Sequence, residues 1–227
     1  MRIKFLHILF VMMAFTISIT SNVANAGLID RGNGMIYDDV QDLTWLQDAN
    51  YAKTSGYDDD GLMTWQESVD WAAQLNFGGY NDWRLFNAAS NDEKCSSTSV
   101  VNEIRVYYNG FCTDNELGQL YYNEFNLERL KLNESASEDP EFAMFSNIQM
   151  SESKYWSGTS FYPIEDFAWY FNVKFGDQSY NRQSEEYFTW AVRDGDVAIT
   201  QVPEPVSLLL FLIALLGLQF KRRELHK

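Results

Sequence analysis

Two apolar segments, one at each end of the chain, confine any globular fold to the residues between them. The first 26 residues begin with a basic tetrapeptide, continue through an apolar run at 5–19 and end on the small residues of Ala24-Asn25-Ala26. This order is typical of a secretory signal peptide. We therefore predict that residues 1–26 are a signal peptide that is removed on export, so that the mature chain begins near Gly27. The alternative is an uncleaved N-terminal membrane helix, for which the apolar run is short.

The second apolar segment, 206–220, is followed at once by the basic cluster Lys221, Arg222 and Arg223. As a helix, its 15 residues would be roughly 22 Å long, against roughly 30 Å for the hydrocarbon core of a bilayer. Basic residues keep such an end on the cytoplasmic side, so the body of the protein would lie outside. The pattern predicts a transmembrane helix that acts as a transient sorting signal. A plain C-terminal anchor is the alternative.

The motif Pro203-Glu204-Pro205 stands directly before this apolar segment. Motif, apolar helix and basic cluster together make residues 202–227 resemble the PEP-CTERM sorting tail. The resemblance implies an exopolysaccharide-producing Gram-negative bacterium and recognition by an exosortase, a membrane cysteine transpeptidase-like enzyme. It also implies a precursor held in the inner membrane after export, which then reaches the cell surface or the extracellular matrix.

Residues 27–201 remain for a folded body, a length that suits one domain with a sizeable core. They contain 30 acidic and 11 basic residues, a net charge of −19. Such a surface repels nucleic acid, so we predict no nucleic-acid partner. Both histidines, His7 and His226, lie outside the body. This excludes a Ser-His-Asp or Cys-His nucleophile and an imidazole metal site within it.

The two cysteines, Cys95 and Cys112, lie in the body that we expect to be exported. An even cysteine count in an oxidising compartment favours one disulfide bond. The alternative is a redox-active or copper-binding pair of thiols. We predict no bound cofactor other than a candidate calcium ion.

Helical patterns occur twice in the body. Thr64 and Glu67 form a capping box, and apolar residues recur at helical spacing as far as Leu75. A second capping box at 113–116 predicts a helix that runs to about Asn126.

Strand patterns surround these helices. Apolar residues alternate with other residues over 167–175, which predicts a strand with one apolar face. Gly176 and Asp177 can turn the chain back, and 187–197 is predicted to supply a returning strand. Strands, two helices and then antiparallel strands indicate the α+β class.

Six stretches of the body resemble, in order, the C-terminal domain family of Legionella collagen-like proteins. These stretches are DLTWLQDANYA, GLMTWQESVDWAAQL, GGYNDWRL, NGFCTDNELGQLYYNEF, YWSGTS and YFTWAVRDGDV. The resemblance implies a C-type-lectin-like fold in which two helices flank antiparallel β-sheets and the chain ends lie close together. It implies no catalytic residues, because the family has none established.

An acidic loop offers a candidate metal site. Asp58 and Asp60 precede Gly61, and Ca²⁺ prefers carboxylates arranged around a sharp glycine turn. A full EF-hand loop would need Glu at its twelfth position, where this chain has Val69. The alternative is a solvated acidic loop in front of the following helix.

The sequence therefore predicts an exported, non-enzymatic cell-surface or exopolysaccharide-matrix protein with a binding or adhesion domain. The Glu-Pro-Asn or Gln-Pro-Asp loop and the Trp-Asn-Asp triplet of calcium-dependent lectins are absent from the sequence. Extracellular polysaccharide is the expected ligand class, with exosortase as the sorting partner. The alternative is a hydrolase that acts on extracellular polysaccharide through paired carboxylates.

Overall fold

The computed structural model describes residues 27–130, 139–151 and 153–197. This part of the chain is an α+β domain with two five-stranded antiparallel sheets and a few short helices. The predicted signal peptide at 1–26 and the predicted sorting tail at 202–227, with its apolar helix, lie outside the described residues. Of the helices that are described, none is long and apolar enough to cross a membrane.

The first sheet is built from both ends of the domain. Its strands, in spatial order, are β1 (Leu28–Gly32), β2 (Met35–Asp38), β3 (Leu43–Leu46), β10 (Ala191–Asp194) and β4 (Arg84–Leu85). The turn between β2 and β3 is tight because Asp38 Oδ1 accepts hydrogen bonds from the backbone N–H groups of Val40 and Gln41, both at 3.0 Å. Strand β10 enters between β3 and β4, where Val192 pairs with Trp45 and Arg84.

The second sheet contains the strands from the middle of the chain. Its spatial order is β5 (Ser97–Val101), β6 (Ile104–Gly110), β9 (Asp177–Arg182), β8 (Phe167–Asn172) and β7 (Lys154–Ser160). The strand predicted at 167–175 is β8, and the chain turns back after Gly176 to form β9 beside it. The segment at 187–197 does not continue this sheet. It crosses to the first sheet and supplies β10.

Short helices connect the strands. They are α1 (Tyr51–Thr54), α2 (Trp65–Gln74), α3 (Glu116–Gln119), a π-helical turn (Leu120–Glu124) and a 3₁₀ turn (Phe142–Met144). The capping box predicted for α2 is confirmed, since the Thr64 N–H donates to Glu67 Oε2 at 2.9 Å. The buried face of α2 is centred on Ser68, Trp71 and Ala72.

The second predicted capping box is wrong, although the helix itself is present. Asn115 caps α3, because its Oδ1 accepts the backbone N–H of Gly118 at 3.0 Å. The Glu116 carboxylate binds Arg84 instead, with Arg84 Nη1 2.8 Å from Glu116 Oε2. The Glu116 side chain, which the local pattern predicted to cap the helix, is therefore engaged in a tertiary ion pair with Arg84.

Aromatic residues dominate the core. Trp45 and Trp190 meet edge to face with ring centroids 5.3 Å apart, and the indole N–H of Trp190 donates to the Leu46 carbonyl at 2.7 Å. The ends of the described domain also meet, since Arg31 Nε lies 2.8 Å from Asp196 Oδ1. Both ends therefore lie on the first sheet.

Candidate functional site

The predicted disulfide is present between Cys95 and Cys112, whose Cα atoms are 4.4 Å apart. Cys112 follows strand β6 and is completely buried. The bond therefore joins the turn before β5 to the loop that leads into α3. No free cysteine is found among the described residues, so the thiol-pair alternative does not apply to the oxidised protein.

Asp92 is buried beside this disulfide. Its carboxylate accepts the backbone N–H of Lys94 at 2.9 Å and that of Asp114 at 2.8 Å. Within the part of the chain that the structure describes, Asp92 and the two cysteine sulfurs are the one cluster of three potential metal-ligating side chains. Both sulfurs are engaged in the disulfide, and the carboxylate is satisfied by backbone amides. We therefore assign this cluster a structural role.

The acidic loop predicted to bind calcium organises its own backbone. Asp58 Oδ1 accepts the N–H groups of Asp60 at 3.0 Å and Gly61 at 2.6 Å, and Asp60 Oδ1 accepts the N–H of Leu62 at 2.9 Å. Gly61 has a φ of +83°, which favours glycine. A Cβ at this position would collide with the buried Oδ1 of Asn50, an atom that has no hydrogen-bond partner. The loop is a well-formed turn, and calcium binding at Asp58 and Asp60 stays a prediction.

An open groove of about 380 Å³ lies on the second sheet. Its lining residues are Leu62, Ser151, Ser153, Lys154, Asn172, Lys174, Phe175, Glu186 and Tyr187. We call this the lysine groove. Strand β7 provides its central side chain, Lys154, and the turn after β8 provides Lys174 and Phe175.

The ammonium group of Lys154 is held by neutral aromatic groups. Its Nζ donates to the Tyr187 hydroxyl at 3.2 Å and lies 4.7 Å from the centroid of that ring and 5.4 Å from that of Tyr170. Burial, the largest single effect, would lower the pKa of Lys154, but the hydrogen bond to Tyr187 and the electrostatic attraction of Tyr187, Tyr170 and Glu185 together outweigh it, and the pKa is raised. The amine therefore stays cationic, and it forms no ion pair with any described carboxylate.

The rest of the lysine groove adds hydrogen-bonding and stacking groups. The Tyr187 hydroxyl also accepts Asn181 Nδ2 at 2.6 Å, which fixes the ring. Ser153 Oγ donates to Asn172 Oδ1 at 2.7 Å. Phe175 is 40% exposed and offers an apolar ring at the edge of the groove. Aromatic faces with a few fixed polar groups are typical of small-molecule and sugar subsites.

A second open groove, of about 410 Å³, lies at the other end of the β7–β8 ladder. We call it the tyrosine groove, because Tyr162 on its wall is 84% exposed. Glu165, Asp166 and Gln183 also line it. It differs from the lysine groove in that its described lining carries two adjacent carboxylates and no cationic side chain.

Two of the described carboxyl groups, those of Asp38 and Glu124, have a raised pKa. Burial raises the pKa of Asp38, and the hydrogen bonds that its carboxylate accepts from Gln41 and Val40 offset this only in part. Glu124 is raised by burial and by the nearby carboxylates of Asp38, Asp39 and Glu141. Neither Asp38 nor Glu124 lines the lysine groove or the tyrosine groove.

Sequence reasoning missed both grooves, because their residues come from separate parts of the chain. Lys154 and Tyr187 are 33 positions apart and meet only when β7 packs beside the segment before β10. The predicted sorting motif, Pro203-Glu204-Pro205, and the basic cluster at 221–223 lie outside the described residues.

Comparison with protein-family models, curated proteins and solved structures finds no match to this chain. The described part is therefore classified from its own structure. It is a disulfide-bonded α+β domain of two antiparallel sheets, with an open groove at each end of the β7–β8 ladder.

Proposed function

We propose that this chain is an exported, non-enzymatic cell-surface or exopolysaccharide-matrix protein. An exosortase sorts it through the PEP-CTERM-like tail at 202–227, and its body binds extracellular polysaccharide. We further propose that the body, 27–201, is C-type-lectin-like. The two antiparallel sheets and the meeting of Arg31 with Asp196 at the domain ends support that finer assignment. A crystal structure superposed on C-type lectin domains would test it.

The observation that carries the proposal of export is the disulfide between Cys95 and Cys112. Disulfides form and persist in oxidising compartments and are rare in the cytosol. The chain that carries this bond also begins with a signal-peptide pattern and ends with a sorting-tail pattern. Three independent features therefore support the same location.

The lysine groove supports the proposal of polysaccharide binding. Sugar rings stack on aromatic side chains and exchange hydrogen bonds with amides, hydroxyls and charged groups. Phe175 and Tyr187 offer the aromatic faces, and Lys154 offers a cation that is already oriented. Among the described residues of the lining, Glu186 is the one carboxylate.

Export and sorting are tested with the triple variant Pro203→Ala, Glu204→Ala, Pro205→Ala. The wild-type protein should lose its tail and reach the cell surface or the medium, whereas the variant should stay full-length in the inner membrane. Immunoblots of fractionated cells measure both outcomes. If the two proteins keep the tail and fractionate alike, the segment is an ordinary anchor.

Polysaccharide binding is tested with Lys154→Met, which keeps the aliphatic stem and removes the charge. A hydrogen bond from a charged donor contributes about 1.5–3 kcal/mol, so affinity should fall by about tenfold to a hundredfold. Isothermal titration of the exported protein with the cells' own exopolysaccharide measures this change. Lys53→Met is the matched control, because Lys53 is exposed on α1 and does not line the groove. Equal losses in both variants would refute the groove as the site.

The alternative function, a polysaccharide hydrolase, is favoured by one observation in the tyrosine groove. Glu165 and Asp166 stand there beside the exposed ring of Tyr162. A hydrolase would release new reducing ends from the polysaccharide, and both Glu165→Gln and Asp166→Asn would stop the release. We expect no reducing ends from the wild-type protein, and their appearance with loss in both variants would replace our proposal.

Calcium binding at Asp58 and Asp60 is proposed as an accessory property. A bound ion raises the melting temperature by mass action, by an amount that grows with its concentration above the Kd. We expect millimolar CaCl₂ to raise the melting temperature of the wild type and not that of the Asp58→Asn, Asp60→Asn variant. An unchanged wild-type melting curve would remove calcium from the proposal.

A further inference from the structure

The first described residue is held by a carboxylate. The Gly27 nitrogen lies 2.6 Å from Asp39 Oδ1, and the Gly27 carbonyl accepts the backbone N–H of Asp39 at 3.2 Å. These contacts extend the β1–β2 ladder by one residue beyond the Leu28–Asp38 pair. The backbone of Gly27 is therefore fixed by the strand pairing, and its nitrogen is aimed at the Asp39 side chain.

A second carboxylate approaches the same glycine from the π-helical turn after α3. A Cβ built on Gly27 would lie 3.6 Å from Glu124 Oε2, in ordinary van der Waals contact. Burial raises the pKa of Glu124, and the charged neighbours that raise it further, Asp38, Asp39 and Glu141, are all carboxylates. The surroundings of Gly27 thus hold an excess of negative charge around a single backbone nitrogen.

The predicted cleavage changes the chemistry of that nitrogen. Hydrolysis adds one water across the Ala26–Gly27 amide: the C–N bond breaks, hydroxide remains on the Ala26 carbonyl carbon as a carboxylic acid, and the proton goes to the Gly27 amine. At neutral pH the acid ionises and the amine takes up a proton, so Gly27 becomes an ammonium with three N–H donors. Before cleavage the same atom is a neutral amide with one donor.

We propose that Asp39 and Glu124 form a receiving site for the α-ammonium group that cleavage after Ala26 creates at Gly27. The proposal rests on the signal peptide in the proposed function. The ammonium keeps the existing contact with Asp39 as a charge-assisted hydrogen bond, which is about twice as strong as a neutral one. The Glu124 carboxylate, whose Oε2 lies 3.6 Å from the position that a Cβ on Gly27 would occupy, is close enough to attract the same positive charge. Processing therefore locks β1 onto the domain and neutralises part of the acidic cluster.

The test compares two forms of the processed chain, one running from Gly27 to Lys227 and one from Val23 to Lys227, both in detergent. The longer form carries its ammonium four residues away and keeps a neutral amide at Gly27. We expect the Gly27 form to melt about 2 to 4 °C higher, the shift that a single ion pair gives in a domain of this size. NMR titration of the α-amine should also give a pKa above the ordinary range of about 7.7–8.0 in the Gly27 form alone.

Isosteric variants decide whether both carboxylates act. Asp39→Asn and Glu124→Gln, each made in the Gly27 form, should bring the α-amine pKa back towards its ordinary range. Asp59→Asn, which removes the same charge from the exposed acidic loop, should leave it unchanged. Equal melting temperatures of the two forms, an ordinary amine pKa in the Gly27 form, or no response to either isosteric variant would overturn the proposal.

The mass of the exported protein separates this proposal from the proposed function. A mass that begins at Gly27 supports cleavage of the signal peptide at the predicted position. Any other N-terminus refutes that position, whereas the melting temperatures and amine pKa of the prepared Gly27 form still decide the receiving site. The two failures are therefore distinguishable.

Discussion

Removal of the disulfide should destabilise the domain by an amount set by the loop that it closes. Cys95 and Cys112 are 17 positions apart. In the chain-entropy model, a loop of this length contributes about 3 kcal/mol by restricting the unfolded chain. For a domain of this size, each kcal/mol corresponds to about 2–4 °C, so the melting temperature should fall by about 6–12 °C.

The double variant Cys95→Ser, Cys112→Ser isolates this effect, because the folded-state contacts around the bond can persist without it. Asp92 still accepts the N–H groups of Lys94 and Asp114 on the two flanks. Calorimetry should therefore show a lower melting temperature with native-like circular dichroism below the transition.

Reduction of the wild-type protein with dithiothreitol provides the matched measurement and should give a similar shift, since it opens the same loop. A shift under about 1 °C in both experiments would refute the loop-closure argument. Two alkylatable thiols in the unreduced exported protein would refute the disulfide itself.

Two further predictions concern packing and pH. Gly118→Ala should cost about 1–3 kcal/mol by overpacking, because its Cβ would collide with a backbone carbonyl oxygen of the loop before α3. Gly158→Ala, whose Cβ would make only ordinary contacts, is the control in chemical denaturation, and equal costs would contradict this reasoning. The hydrogen bond from Arg193 lowers the pKa of Asp82, so this pair stabilises the fold above the ordinary carboxyl pKa and loses its effect as pH falls through the folded value. Asp82→Asn should therefore lower the free energy of unfolding at pH 7 by less than about 1 kcal/mol, because the Asp82 side chain is 55% exposed, and should leave it unchanged near pH 2. Chemical denaturation at the two pH values measures this, and an equal loss at both would refute the ion pair as its cause.

The parts of the fold that sequence predicted correctly are those that local interactions determine. Helix α2 begins at the capping box of Thr64 and Glu67, which are only three positions apart in the chain. The turn after β8 forms at Gly176, where the φ of +70° suits glycine. The prediction of the disulfide required only the number of cysteines and the compartment in which the body is expected to fold.

The parts that sequence missed depend on long-range competition. The capping role predicted for Glu116 was lost to Arg84, which lies 32 positions earlier in the chain. The place of β10 between β3 and β4 follows from burial of Trp190 against Trp45, and no local pattern encodes it. The position of Lys154 at the start of an aromatic strand is a weak sequence indication of a binding site. The lysine becomes part of a groove only because it contacts Tyr187, which is distant in the sequence.

The arrangement of ends and grooves gives the proposed sorting a geometric consequence. Both ends of the described domain lie on the first sheet, where Arg31 meets Asp196, whereas the lysine and tyrosine grooves are built on the β7–β8 pair of the second sheet. A tail that follows residue 201 would hold the domain through the first sheet and leave both grooves open. Polysaccharide should therefore bind the membrane-held precursor and the released protein with equal affinity. A precursor that binds only after release would show that the tail covers a groove, and the separation of anchoring from binding would then be wrong.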